Sequence, residues 1–426
     1  MIIPQRNHPP EIKLSDKVRF LKPEKRTLDN GLPAYFIKGG TQNIVKVEMV
    51  FTVGSYHQQK PLQTFLTANL MKNGSQSKSS LQMSELLDFY GISLQVEAQK
   101  DIISVALFCL TKYLEPALSL LMEILAQPSF PEDEFQIMLK DHKQKHIVNL
   151  QKVQHLARAH FAGLIFGDEH PYGKRLKVSH FDEISLADIK NYYSQHLHPG
   201  NCICIVAGQY PENMTELINK NVERLGWQAQ KPVDVKQMTP LVAAQRQHFI
   251  KREDALQSSI RLGKLIVNRE HPDFHKISIT NTMLGGYFGS RLMANIRQDK
   301  GYTYGIHSAV VSLLRSSYFF IASQVGKTVC HKALEEIYRE LGEMRNKPAG
   351  NDELTMLKNY LSAGFLRSFD GPFMQAERFK EILLFGLDYS HYENYIDTLK
   401  DITARDIQHT AGKYFHEKDM IELIAG

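Results

Sequence analysis

The sequence predicts an α+β fold made of two homologous domains, each a mainly antiparallel sheet with helices packed on one face. The chain has 426 residues, of which 43% are hydrophobic, so it is long and apolar enough to bury at least two cores. In each half, strand-like alternation comes first, amphipathic helical segments follow, and one more helix precedes a last strand. This order favours sheets that carry a layer of helices.

An internal repeat indicates that one domain has been used twice. Residues 184–189 return as residues 402–407, and the strand-like run that ends at Gly208 returns with its end at Gly426. The same offset separates both pairs, without a gap. A repeat this long predicts two copies of one domain.

The repeat also predicts where the domains begin and end. We place an N-terminal domain over residues 1–226 and a C-terminal domain over residues 245–426. Residues 227–244 contain two prolines and little periodicity, which predicts an exposed linker between the domains.

Local patterns predict the main elements of each half in order. Residues 45–53 alternate as a strand, residues 118–125 have the period of a helix, and residues 202–207 form the closing strand of the first half. In the second half, a helix is predicted to begin near Ser290 and to end at Gly301, because glycine commonly follows the last turn of a helix.

Composition narrows the classes of function. The chain has 51 basic and 46 acidic residues, and a net charge of +5 is too mild and dispersed for a nucleic-acid interface. No run is apolar enough to cross a membrane, and residues 1–8 lack the apolar core of a signal peptide, so a cytoplasmic location is expected. Four cysteines are sparse and have apolar neighbours, which predicts buried thiols: Cys109, Cys202, Cys204 and Cys330.

Residues 281–304 contain the clearest candidate site. Arg297 falls in the last turn of the predicted helix, and Tyr304 lies just beyond Gly301. A cation and a phenol therefore stand on the two sides of one helix-to-strand junction, where both can reach a peptide carbonyl. The alternative is a surface Arg that favours the helix dipole and a Tyr that packs into a strand.

This segment resembles the C-terminal-domain signature of the insulinase/pitrilysin metallopeptidases, also called inverzincins. The shared pattern is Leu-Gly-Gly, then Ser-Arg-Leu, then Arg and Tyr seven positions apart. The resemblance extends over nearly the whole chain through weaker matches at residues 28–32, 166–173 and 199–201. It implies that Arg297 and Tyr304 hold the backbone of a peptide substrate across a cleft from zinc.

The zinc motif of that family is degenerate in this chain. The family carries His-x-x-Glu-His on the first helix of its N-terminal domain, so that two ligands share one helical face and the Glu activates water. The corresponding slots hold Phe65, Ala68 and Asn69, and the window for the third ligand, residues 143–147, has no carboxylate. We therefore expect no metal or other cofactor in this chain.

His142 and His146, with lysines around them, are predicted to form a solvated basic face.

The resemblance implies a function that depends on a second chain. In two-chain members such as the mitochondrial processing peptidase and its bacterial counterparts, one subunit carries zinc, and the two close around an unfolded peptide. This chain is similar to the zinc-less alpha subunit. It is therefore expected to be inactive alone and to supply Arg297 and Tyr304 to a site whose zinc is on a homologous partner. The alternative is a structural or peptide-binding scaffold, similar to the core proteins of the bc1 complex.

Overall fold

A computed structural model describes residues 18–232 and 235–426 of the chain. The interpretation of residues 1–8 therefore lies outside the described residues, as do the first part of the predicted N-terminal domain and two residues of the predicted linker. The elements of the first half are β1 (Glu24–Thr27), β2 (Pro33–Lys38), β3 (Ile44–Phe51), α1 (Gln63–Leu70), α2 (Ser80–Phe89), β4 (Ser93–Ala98), β5 (Ile103–Leu110), α3 (Leu114–Ala126), α4 (Glu132–Leu150), α5 (Val153–Phe166), α6 (His180–Glu183), α7 (Leu186–His196), β6 (Cys202–Gly208) and α8 (Met214–Leu225).

The second half follows a similar plan, but its sheet has five strands where the first has six, and it contains two π-helical turns, Thr282–Gly286 and Met293–Asp299. Its other elements are β7 (Gln247–Ile250), β8 (Gln257–Ile266), α9 (Phe274–Asn281), β9 (Thr303–Leu313), β10 (Ser316–Gly326), α10 (Cys330–Asn346), α11 (Asn351–Arg367), α12 (Gly371–Leu384), α13 (Ser390–Asp401), α14 (Ala404–Tyr414) and β11 (Ile421–Ala425).

The two sheets confirm the predicted fold class. The strand order is β1-β2-β6-β3-β5-β4 in the first sheet and β7-β11-β8-β10-β9 in the second. Each sheet has one parallel pair, β2 with β6 and β7 with β11, and its other pairs are antiparallel. The closing strand of each half lies at the equivalent place in its sheet, which agrees with a duplicated domain.

The repeat extends to the details of helix capping. Ser185 and Asp188 form a reciprocal capping box at the start of α7. Thr403 and Asp406 form the same box at the start of α14, at the offset that the sequence repeat shows. In each box the hydroxyl accepts a hydrogen bond from the third backbone N–H, which stabilises the first turn.

One helix of each half packs on the sheet of the other half. α5 lies against β8 and β11 of the second sheet, and α12 lies against β2 and β6 of the first. The apolar cores reflect this exchange: Phe161 of α5 clusters with Leu423, and Phe379 of α12 clusters with Ile205. α5 and α12 occupy equivalent places in the repeat, so the exchange is reciprocal.

The exchanged helix α12 covers a charged row of the first sheet. Lys46 and Glu48 of β3 are 2% and 1% exposed, although they alternate with the apolar residues that face the helices of their own half. Glu48 accepts hydrogen bonds from Ser104 and from Lys380 of α12, and Lys46 pairs with Glu48 and with Glu377. Strand β3 is therefore buried on both faces.

The described part of residues 227–244 contains no helix or strand, but it is attached to the first half. Trp227 is buried, and its ring centroid lies 6.2 Å from that of Phe51. Further along, the N–H of Leu241 donates to the carbonyl of Phe166 at the end of α5. Leu241 is nevertheless 77% exposed, and residues 228–232 are also exposed, so the described part of the segment is largely exposed and is attached at separate points. The domain boundaries themselves stay a prediction.

Candidate functional site

The junction that carries the predicted site is built from two π-helical turns packed against β9. The first turn contains Gly285, where a Cβ atom would lie 2.7 Å from the backbone nitrogen of Ser308. Only glycine lets the turn approach the strand this closely. Asn281 adds to the contact, because its side-chain amide donates to the carbonyl of Ser308. The Leu-Gly-Gly motif therefore has a direct packing reason.

The second π-helical turn carries Arg297 and ends as predicted. Leu292, Met293 and Ile296 are 0%, 8% and 0% exposed, which confirms the predicted inner face. Gly301 follows with a φ of +64°, a left-handed conformation that favours glycine. π-helical turns are rare in proteins, and those that exist are frequently found at functional sites. The sequence pattern predicted an ordinary helix here and did not indicate a π-helical turn.

Tyr304 lies at a β-bulge on the edge strand β9. Thr303 pairs with Val325 and Ile306 pairs with Ser323, so β9 has one residue more than β10 in this stretch. The Thr303 hydroxyl holds the bulge by donating to the carbonyl of Gln324. A bulge redirects side chains, and Tyr304 is 93% exposed.

Phe288 connects the two predicted site residues. The guanidinium carbon of Arg297 lies 4.9 Å from the centroid of the Phe288 ring, and Phe288 itself is 62% exposed. Phe288 and Tyr304 both line an open cleft of about 570 Å³. Among the described residues, Arg297 has no hydrogen-bonding or ion-pair partner. Arg297 is half-buried and does not line the cleft itself, so Phe288 is the residue that links it to the cleft of Tyr304.

Phe288 and one strand residue were missed in the sequence. Phe288 stands between the two recognised motifs, and an aromatic residue within a short stretch flanked by Gly286 and Gly289 was the available sign. Arg261 lies within β8, is 9% exposed and lines the same cleft as Tyr304. An Arg in the middle of a strand of small and apolar residues was the available sign.

The degenerate zinc slots lie on α1, which is the helix where the resemblance places them. Ala68 is fully buried, and the Phe65 ring stacks on that of His142 with centroids 4.2 Å apart. Asn69 donates its amide to the carbonyl of Phe65 and is thereby engaged within its own helix. These residues do not fit a zinc ion, since hydrocarbon and an engaged amide offer no ligand set. Residues 18–232 and 235–426 contain no group of three or more potential ligands that could hold a metal.

The prediction of a solvated face at His142 and His146 is wrong. His146 is 6% exposed, and its ring lies 5.6 Å from that of Phe181. Burial, followed by the charges of His146 and Lys145, lowers the pKa of His142. The two rings fill the space between α4 and its neighbours, while the lysines lie outside. Helical spacing alone did not show which side of α4 was covered.

The four cysteines that were predicted to be buried thiols are free and buried in the structure.

Comparisons with known proteins support the family resemblance. Residues 37–163 match the family described as Insulinase (Peptidase family M16), and residues 183–361 match the description Peptidase M16 inactive domain. A Bacillus subtilis protein named "Uncharacterized zinc protease YmxG" is 21% identical over 94% of this chain and 98% of its own length. A Helicobacter pylori protein named "Non-peptidase homolog YmxG" is 22% identical over 57% of this chain and 56% of its own.

Solved structures show the same fold. The crystal structure of a peptidase M16 inactive domain from Pseudomonas fluorescens has a TM-score of 0.83 at 21% identity, covering 95% of this chain and 98% of that one. A Helicobacter pylori protease also has a TM-score of 0.83, at 19% identity, covering 96% of this chain and all of that one.

The duplicated fold and the two family matches define a metallopeptidase-like protein, and Phe65, Ala68 and Asn69 of its first helix offer no set of zinc ligands. The chain belongs to peptidase family M16, the insulinase family. The inactive-domain match and the non-peptidase relative support a non-catalytic member, and both fit a chain without zinc. In the part of the chain that the structure describes, no helix is long and apolar enough to cross a membrane.

Proposed function

We propose that this chain is the non-catalytic, substrate-binding subunit of a heterodimeric zinc metallopeptidase. Its partners are then a homologous zinc-bearing chain and an unfolded peptide. The observation that carries the proposal is the exposure of Tyr304 in the same cleft as Phe288, whose ring stacks on Arg297. Tyr304 is 93% exposed and contributes little to the apolar core, so its hydroxyl is free to contact a ligand.

The two groups have different tasks in the proposed complex. Zinc on the partner chain would supply the activated water, as it does in active members of this class. Tyr304 donates a hydrogen bond to the oxygen that becomes negative during attack, and this contact strengthens as charge develops. Arg297 donates to a neighbouring backbone carbonyl and fixes the register of the peptide. The stacking of Arg297 on Phe288 limits the motion of its guanidinium.

The test combines each variant with the zinc-bearing homologue and follows cleavage of a fluorogenic peptide. Tyr304→Phe is expected to leave assembly intact and to lower kcat by a factor of about a hundred to a thousand, since it removes one oxyanion donor. Arg297→Ala is expected mainly to raise KM, because a ground-state carbonyl contact is lost. Tyr113→Phe is the matched control, since Tyr113 lies at the start of α3 in the first half.

The scaffold function is the alternative that this assay separates. A scaffold needs the cores and the partner surface but not the phenol. Full activity in both Tyr304→Phe and Arg297→Ala would therefore refute the substrate-holding role and leave the scaffold as the better explanation. Loss of assembly in either variant would also contradict the proposal, which assigns both side chains to the substrate and neither to a core.

A further inference from the structure

The cleft that holds Tyr304 has a buried cation in its wall. Arg261 of β8, Ala322 of β10 and His307 of β9 are register partners, so they form one row across the second sheet. Helix α5 covers the neighbouring part of this face, where it packs on β8 and β11. All three residues of the row line the open cleft, which Gln154 at the start of α5 also borders.

Arg261 lacks a counter-ion in the described chain. Its side chain is 9% exposed, and its Nε has no hydrogen-bonding partner. Its contact is with a ring, since the guanidinium carbon lies 5.1 Å from the centroid of Phe320. Burial lowers the pKa of Arg261 to about 10, Tyr318 partly opposes this, and Arg158 adds to it. A cation held this way is costly, because its burial is not offset by an opposite charge.

The rest of the cleft is polar but carries no negative charge. The described residues that line it include no Asp or Glu, and its polar groups are amides and hydroxyls such as those of Gln154, Ser259 and Gln324. Burial, followed by the charge of Arg261, lowers the pKa of His307 and favours its neutral form. Arg261 therefore dominates the electrostatics of the cleft wall. An anion entering beside Tyr304 would meet it.

We propose that Arg261 is a specificity residue that binds a carboxylate of the peptide whose backbone Tyr304 and Arg297 hold. The guanidinium can donate two parallel hydrogen bonds to a carboxylate, and the dry wall strengthens them. Two sources supply this group, the side chain of an Asp or Glu and the free C-terminus of the peptide. The inference rests on the proposed function, because it requires that a peptide lies in the Tyr304 cleft.

Binding of fluorescein-labelled extended peptides of about twelve residues to the intact chain tests this. The peptides are identical except for one Glu or Gln moved along the sequence, each with a free or an amidated C-terminus. We expect the wild type to prefer one carboxylate-bearing peptide by about tenfold to a hundredfold, as a buried charge-assisted hydrogen bond provides. A preference that follows Glu identifies the side chain, and one lost on amidation identifies the C-terminus.

Two variants distinguish a direct contact with Arg261 from a long-range attraction of the peptide by positive charges nearby. Arg261→Gln is expected to abolish the preference while leaving affinity for the neutral peptide within about threefold, since only the ionic contact is removed. Arg158→Gln removes an exposed cation from α5 and is expected to change the preference by no more than about threefold. Loss of the preference in Arg158→Gln with retention in Arg261→Gln would overturn the assignment.

Thermal stability gives a readout that is independent of peptide. Arg261→Met keeps the apolar stem over Phe320 and removes an uncompensated charge, so its Tm is expected to equal or exceed that of the wild type. A clear fall in Tm would show that the contact of the guanidinium with Phe320 stabilises the fold by more than the burial of the charge costs, and would overturn the inference. Binding without a carboxylate preference would overturn it and leave the proposed function standing. Failure of the wild type to bind any of the peptides would refute both.

Discussion

The charged cluster between β3 and α12 allows a prediction of stability as a function of pH. Glu48 is 1% exposed and accepts from Lys380 at 2.6 Å, while Lys46 lies 2.6 Å from its other oxygen. Burial raises the pKa of Glu48, but the charges of Lys46 and Lys380 outweigh it and lower the pKa from 4.5 to about 2. The carboxylate therefore stays ionised to a lower pH in the folded chain than in the unfolded chain.

The sign and size of the effect follow from this difference. Because the folded pKa is depressed, the contribution of Glu48 to stability is present above pH 4.5 and is lost as the pH falls toward 2. The gap between the two pKa values corresponds to about 3 kcal/mol. Glu48→Gln removes the charge with little change of shape and leaves Lys46 buried. It is therefore expected to lower the free energy of unfolding by about 3 kcal/mol at neutral pH.

Urea unfolding of the wild type and Glu48→Gln from about pH 7 to about pH 3 measures this difference. The gap between the two free energies of unfolding should narrow as the pH falls. Glu115→Gln is the control, because Glu115 and Lys220 form an exposed pair, 64% and 72% accessible, worth at most about 1 kcal/mol. A gap between wild type and Glu48→Gln that stays constant over this range would refute the reasoning.

Three further predictions concern the junction, the metal and the linker. Gly285→Ala should lower Tm, because the added Cβ would meet the backbone of Ser308 at a cost of about 1–3 kcal/mol. Gly364→Ala is the control, since no atom lies near its added Cβ, and it should be neutral or stabilising. Equal Tm values for the two variants would contradict this prediction. The purified chain should contain no stoichiometric zinc and cleave no peptide alone, and elemental analysis that finds one zinc per chain would show the contrary. Limited proteolysis should cut first within residues 228–232, because they are exposed and precede residues 238–243, which are hydrogen-bonded to the first half. A first cut inside a helix would contradict the predicted domain boundaries.

The features that could be predicted from the sequence are those that follow from a local pattern or from the repeat. The features that depend on contacts between the two halves could not be predicted. The duplication is visible as a repeat at one constant offset, and the end of the helix at Gly301 and the burial of Ile296 follow from residues close to them in the sequence. The burial of Lys46 depends on α12, more than three hundred positions away, so nothing near β3 in the sequence could show it. The degenerate zinc slots were found because their family spacing is fixed, whereas the cover over His146 comes from another segment. The exposure of Tyr304 required the bulge, whose extra residue shows only in the pairing of β9 with β10.

The reciprocal placement of α5 and α12 bears on how such a chain originated. If each half once existed as a separate polypeptide, one copy alone would have left a sheet face bare, and two copies would have covered both faces by trading a helix. The ancestral product of a single-length gene was then a helix-exchanged homodimer, and gene fusion made that dimer covalent. Neither half should form a stable monomer when expressed alone, yet the two produced together as separate fragments should associate into the native arrangement.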